Sequence, residues 1–236
     1  MSAAANGSDL IILAIVVPVN QFVLDVAPAI KSTADLKGSK LGVVALDGSE
    51  DNIALRYGLR HLHLDPDKDV TILPVGDRVT ALLNGAIQGS ALTPPDTLQV
   101  EAKGFHPLFD MAKANLPHLG QSSVASRAYV TAHHDVAQKY IDSLVTAIAR
   151  IKQDRALSIK VLENHIKSRD EPALNVAYDF YRDEIFPSLP EPRADVFGDA
   201  VDELSKDDPK IKAFNIGAFL DPSFVKSAGS RGLDKA

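Results

Sequence analysis

The 236-residue chain has no cysteine and no tryptophan, two methionines, and aromatic residues at only 6%. Without cysteine there is no disulfide, no thiolate nucleophile and no cysteine-bound metal, and cysteine usage assigns no compartment. Lys/Arg runs are missing as well. The net charge of −6, from 25 basic and 31 acidic residues, excludes the basic footprint of a nucleic-acid binder. The one long apolar run, residues 10–19, is about half the roughly 20 residues of a spanning helix, and Pro18 interrupts it. Asp9 precedes it without any Lys or Arg, unlike a secretion signal, so a buried strand is expected there. Also absent are the nucleophile elbow Gly-x-Ser-x-Gly, the phosphate loop Gly-x-x-x-x-Gly-Lys-Ser/Thr and the dinucleotide fingerprint Gly-x-Gly-x-x-Gly.

What remains is 45% hydrophobic and 24% charged, the balance of a globular protein with enough chain for one large domain or two small ones. Its organising stretch is residues 34–59. A polar turn at Lys37-Gly38-Ser39-Lys40 leads into an apolar run over 41–46, in which Gly42 leaves no side chain. Asp47-Gly48-Ser49-Glu50-Asp51 then starts a helix with apolar spacing at Leu55, Leu59 and Leu62. Turn, strand, loop and helix make the front of a βαβ unit. Ligands of open α/β sheets sit at such a loop, where the amides of the first helical turn point outward. Asp51 reads as a helix cap.

Taken in order, residues 2–7 read as the last turn of a helix closed by Gly7. Residues 10–17 read as a strand covered on both faces, as in a parallel sheet. Asn20 and Gln21 interrupt the next apolar stretch, either as strand-end solvation or as ligand contacts. Beyond the organising segment, strands are expected at 70–73, 87–92 and 105–109, and helices at 77–84 and 96–103. Together with 36–69 they alternate β-α-β-α-β-α-β, the pattern of a parallel or mixed sheet. A strand over 122–130 follows. Val136, Tyr140, Ile141, Leu144, Val145 and Ile148 then form a 3.6-period stripe, with further helices at about 154–167, 172–185 and 193–205.

His61-x-His63 is the nearest approach to a metal pair. Residues i and i+2 do not share a helix face and no third ligand follows at useful spacing, so no metal site is expected. His133-His134 reads as capping or surface. Small polar residues at strand-end loops, with no nucleophile–base pair, suit binding better than turnover. No cofactor is expected.

The order of segments resembles the periplasmic substrate-binding proteins of ABC importers, in the nitrate/sulfonate/taurine branch that also holds binders of thiamine pyrimidine precursors. Ala29-Ile30-Lys31-Ser32-Thr33-Ala34-Asp35-Leu36-Lys37-Gly38-Ser39-Lys40-Leu41-Gly42-Val43 is similar to that family's Ile-Lys-Ser … Asp-Leu-Lys-Gly-Lys-Lys-Ile-Gly-Val. Gly48-Ser49 before a helix, residues 64–70 and residues 81–89 continue the likeness, and it extends through 123–151. The resemblance implies an α/β, periplasmic-binding-protein type II-like fold of two lobes with mixed sheets. Residues 36–126 would form the complete second lobe, and residues 8–35 with 127–236 a first lobe incomplete at its N-terminus.

It further implies a non-catalytic solute-binding component, periplasmic in location although the chain shows no signal peptide. Hinge closure on a small organic or oxyanion ligand would present the closed form to an ABC permease in the membrane. The ligand-facing positions carried over are Asn20, Gln21, Asp47, Gly48, Ser49, Thr93, Pro94, Gln121 and Ser122. Asp47 with Glu50 and Asp51 disfavours an oxyanion by like charge, which leaves a neutral or amine-bearing molecule as the expectation. The scarcity of aromatics argues against a cage for a quaternary amine. The shortened first lobe would favour dimerisation, as a homodimer through that lobe, strand exchange or instability. The alternatives are an enzyme like the thiamine-pyrimidine synthases and a truncated remnant without binding activity.

Overall fold

The computed structural model describes residues 1–46, 48–167 and 169–235, so the candidate Asp47 lies outside the described residues. Two compact units form, one from Asn20–Leu116 and the other from Met1–Val19 with Pro117–Ala236. In chain order, α1 (Ser2–Ala5) and β1 (Leu10–Ile15) open the discontinuous unit. The continuous unit holds β2 (Val23–Val26), β3 (Lys40–Val43), α2 (Glu50–His61), β4 (Thr71–Pro74), α3 (Arg78–Leu83), β5 (Gly89–Leu92), α4 (Asp96–Glu101) and β6 (His106–Asp110). The chain then returns with β7 (Ser122–Ser126), α5 (Arg127–Ala132), α6 (His134–Gln153), α7 (Arg155–Ile166), α8 (Glu171–Phe180), α9 (Gly198–Leu204) and α10 (Ser223–Ser230). The fold is mixed α/β. Strand pairing puts the unit boundaries at 19/20 and 116/117 rather than at 35/36 and 126/127. β2 pairs with β5 and β6, and β7 pairs with β1.

The continuous unit is built on a five-stranded sheet of order β4-β3-β5-β2-β6. β3 runs parallel to β4 and β5, whereas β2 is antiparallel to both of its neighbours, which makes the sheet mixed. Leu24, Val26, Leu41 and Val43 pack with Ala54, Leu55 and Leu59 of α2 on one face. Leu82, Ile87, Leu92 and Val100 gather on the other, against α3 and α4. The apolar spacing of α2 is thus spent on the sheet. Burial of Leu55 and Leu59 contributes about 1.5–3 kcal/mol each over exposure. Gly42 is where a side chain cannot fit, because a Cβ there would run into Ile87 and Val75.

The discontinuous unit has a sheet of only two strands, β1 and β7, paired antiparallel. β1 is apolar on both faces as its sequence implies, although not through a parallel sheet. Ile11 and Leu13 pack with Ile141, Val145 and Phe224, while Ile12 and Ile15 pack with Val196, Phe197 and Phe219. Residues 127–130 are helical instead of extended, because the Ser126 hydroxyl accepts the Tyr129 N–H (3.1 Å) and so caps α5. The stripe on α6 buries Ile141, Val145 and Ile148 but leaves Val136 and Tyr140 exposed. No residue of α7 is buried. Arg155 fastens that helix to α8 through Asn175 and Asp179, with its guanidinium over the Tyr178 ring. Among the described residues no helix is long and apolar enough to cross a membrane.

Candidate functional site

β3 ends at Val43, and the chain passes through 44–49 into α2. Gly48 takes φ +67°, a left-handed conformation that a Cβ would strain, and its N–H donates to Leu46 O (3.1 Å). The Ser49 hydroxyl donates to Ala45 O (2.6 Å) and Asn52 Nδ2 to Leu46 O (2.7 Å). The first turn of α2 therefore holds its own entry loop. The N-cap residue Ser49 makes no side-chain cap hydrogen bond, and Glu50 and Asp51 both stand in the first turn.

Asp51 departs from the capping role expected of it. It is buried, accepts the Val44 N–H (2.6 Å) and pairs with Arg78 (3.2 Å), which also donates to Ala91 O (3.0 Å). One guanidinium at the start of α3 thereby joins α2 to the end of β5. Just beyond lie Thr93 and Pro94, where Thr93 O accepts the Asp96 N–H (2.9 Å) and so starts α4. Burial raises the Asp96 carboxyl above its usual range against the opposing pull of Arg78.

Asn20 and Gln21 reach the same helix. Asn20 is fully buried, donates Nδ2 to Ala54 O (3.1 Å) and accepts the Phe22 N–H (3.2 Å). Its amide is thus engaged by the protein itself and ties the start of the unit to the middle of α2. Gln21 Nε2 donates to Glu50 Oε1 (2.9 Å) in the first turn. Gln121 and Ser122 belong to the other unit, at the end of its short sheet. Gln121 O accepts the Val16 N–H (2.8 Å), and Ser122 stands opposite Ile15. The described ones among the expected residues thus form a group around α2 and β5 in one unit and an adjacent pair in the other.

Several buried polar groups were not legible in the sequence. Arg78 had no local pattern to mark it, since its partner Asp51 is far off in the chain. Asp25, in the middle of β2, is fully buried with neither carboxylate oxygen hydrogen-bonded. Burial, with Glu101 and Asp110 adding negative charge nearby, pushes its carboxyl up to about 8. In the other unit His118 Nδ1 meets Asp199 Oδ2, both buried, and Asp199 also accepts the Ala200 N–H (2.7 Å). His61 stacks on Phe109 at 5.5 Å, and His133 and His134 contact Tyr129 and Phe224. Among the described residues no group of three or more His, Cys, Asp or Glu side chains could hold a metal ion.

The profile of the NMT1-like family matches residues 3–162. No curated protein sequence matches the chain. Among solved structures, a protein from Bordetella bronchiseptica RB50 superposes with a TM-score of 0.76 at 22% identity, over 98% of this chain and 77% of its own. The periplasmic aliphatic sulphonate binding protein SsuA from Escherichia coli gives 0.67 at 22% identity, over 96% and 70%. The desulfurization enzyme DSZB gives 0.64 at 15% identity, over 95% and 80%. At these identities the likeness is one of fold, that of two-lobe α/β proteins.

Proposed function

The chain belongs to the NMT1-like family, and we propose that it is a solute-binding component of an ABC importer, periplasmic and without catalysis. The observation that carries this reading is the N-terminus of α2. A 12-residue helix follows β3, and its N-cap residue Ser49 makes no side-chain cap hydrogen bond; Ser49, Asn52 and the Asp51–Arg78 pair hold the described residues of the entry. Such an end offers oriented amides to a small ligand without a reacting side chain. The candidate contacts of the continuous unit are Gln21, Gly48, Ser49, Thr93 and Pro94, with Asp47 outside the described residues, and the discontinuous unit carries its own candidates, Gln121 and Ser122. Asn20 positions Gln21. Hinge closure is the signal read by a membrane permease, and a homodimer formed through the discontinuous unit belongs to the same reading.

Within the class of small organic or oxyanion ligands, the first turn of α2 favours the neutral or amine-bearing ones. Glu50 and Asp51 both place negative charge in the first turn of α2, and Gln21 donates its amide to Glu50. A thermal-shift screen against nitrate, alkanesulfonates, taurine, pyrimidines and small amines tests this, since a ligand of the native state raises the melting midpoint. The expected result is a rise with an amine-bearing or neutral solute that shrinks in Gln21→Ala. A rise with nitrate or alkanesulfonate alone would reverse the ligand preference. A folded sample with no response to any class would defeat the binding reading, and conversion of a bound solute to product would replace it with an enzyme.

A further inference from the structure

Leu24 and Val26 of β2 face α2, so Asp25 between them turns to the opposite face of the sheet, where α4 packs across β2 and β6. Its exposure is 0%, so its surroundings are set by the elements of this unit. Among the described residues neither carboxylate oxygen meets a hydrogen-bond donor. Its cross-strand partners are Ser90 on β5, whose hydroxyl is spent on Gly42 O (2.8 Å), and Pro107 on β6. The charged groups that act on it are both acidic, Glu101 at the end of α4 and Asp110 at the end of β6. Nearby cations are engaged elsewhere: Lys113 answers Asp110 (3.0 Å), and Arg78 of the neighbouring α3 answers Asp51. His106 stands opposite Val26 and so turns to the other face. A carboxyl so buried, without a donor and with two acidic neighbours, holds its proton.

We propose that neutral Asp25 is a proton-dependent latch on α4: when its proton leaves, α4 lifts from the sheet while the rest of the continuous unit stays folded. α4 is the weakest cover of this carboxyl. Its six residues are too few to hold as an isolated helix, its N-cap makes no side-chain bond, and only Thr97 and Val100 are buried. Val100 is its anchor, packed with Leu82, Ile87 and Leu92. The other elements beside Asp25 are β5 and β6, and freeing it through either would split the central ladders. A segment with so few buried contacts opens first. Opening also carries Glu101 away from the new charge. It frees Thr93 and Pro94 as well, because Thr93 O accepts the Asp96 N–H (2.9 Å) at the start of α4. The closed form keeps the proton up to about pH 8, whereas an opened chain releases it near 3.8. Between those values opening releases one proton, so the open population rises about tenfold per pH unit, and outside them it is level.

Amide exchange on the full chain, from about pH 5 to about pH 8, tests this. The amides of Ala102, Lys103 and Gly104 donate to the carbonyls of Leu98, Val100 and Glu101. They are expected to be at least about tenfold less protected than those of Leu55 and Leu59 in α2. Corrected for intrinsic exchange, their protection is expected to fall about tenfold with each pH unit. In Asp25→Asn, which has no proton to lose, it is expected to stay level. Glu101→Gln removes one like charge at an exposed side chain and is expected to end the decline at a lower pH. Protection that is level in the wild type, that falls equally in Asp25→Asn, or that matches α2 because α4 opens only with the whole unit would each overturn the latch. Should Asp25→Asn fail to fold, the carboxyl resonance of Asp25 in the folded wild type decides: titration near 8 supports the latch and titration near 3.8 overturns it. Any effect on a solute, through Thr93 and Pro94, rests on the proposed function. These readouts use no ligand, so a failed solute screen leaves the latch standing and a failed latch leaves the screen untouched.

Discussion

The two units solve the same problem, covering the faces of a sheet, with different success. The continuous unit has five strands, so each apolar row meets a helix: α2 on one side, α3 and α4 on the other. The discontinuous unit has two strands and more helices, and its apolar side chains are less well covered. Val124, Tyr129, Val136 and Tyr140 stand exposed around β7 and α6, and Leu157, Val161, Ile166 and Val176 on α7 and α8. The units also differ in their buried charges. The continuous unit holds Asp51 paired with Arg78 and Asp25 paired with nothing, whereas the other sets His118 against Asp199. A sheet wide enough to bury its faces also buries whatever polar groups its strands carry, and each of these needs a partner or a proton.

The sharpest break of that contrast is at Arg78. Replacement by Met leaves Asp51 buried and unpaired, and the continuous unit is expected to lose about 3–5 kcal/mol in denaturant unfolding. A loss under about 1 kcal/mol would mean that the Val44 N–H alone holds the loop. Asp25→Asn is expected to act in the opposite direction. The folded protein keeps the Asp25 proton up to about pH 8, whereas the unfolded chain releases it near 3.8. Between those values the native state binds more protons, so stability falls as pH rises across that window. Asn removes this dependence and is expected to stabilise by roughly 2–4 kcal/mol at pH 7. Melting midpoints across pH 4–8 that decline equally in both proteins would contradict it. The smallest effect is expected on α7: Val161→Ser, at a side chain 58% exposed, should change stability by less than about 0.5 kcal/mol. A larger loss by the same measurement would show that this helix is covered in solution.

Much of this was legible from local pattern. The turn, strand, loop and helix of 34–59 stand as β3 and α2, because Gly48, Ser49 and the Leu55/Leu59 spacing are local signals. Glycine ends such as Gly85 and Gly104 take positive φ as their places after α3 and α4 imply. The strand assigned to 127–130 failed, since one hydroxyl at Ser126 decided for a helix against a mixed-polarity pattern. The stripe on α6 was found with its outer members included. Val136 and Tyr140 satisfy the period, but the short sheet does not cover them.

What the amino-acid sequence determined by itself was the set of elements and the family likeness. Apolar spacing, capping residues and turn glycines act over a few residues, where chain connectivity already brings the interacting groups together. Only the tertiary structure decided that β2 lies between β5 and β6, that Asp51 answers Arg78 and not its own helix, and that Asn20 is spent inside the protein. Each of these is set by groups distant in the chain whose meeting depends on strand order, and strand order is chosen by the burial of whole faces, which no single stretch of sequence encodes.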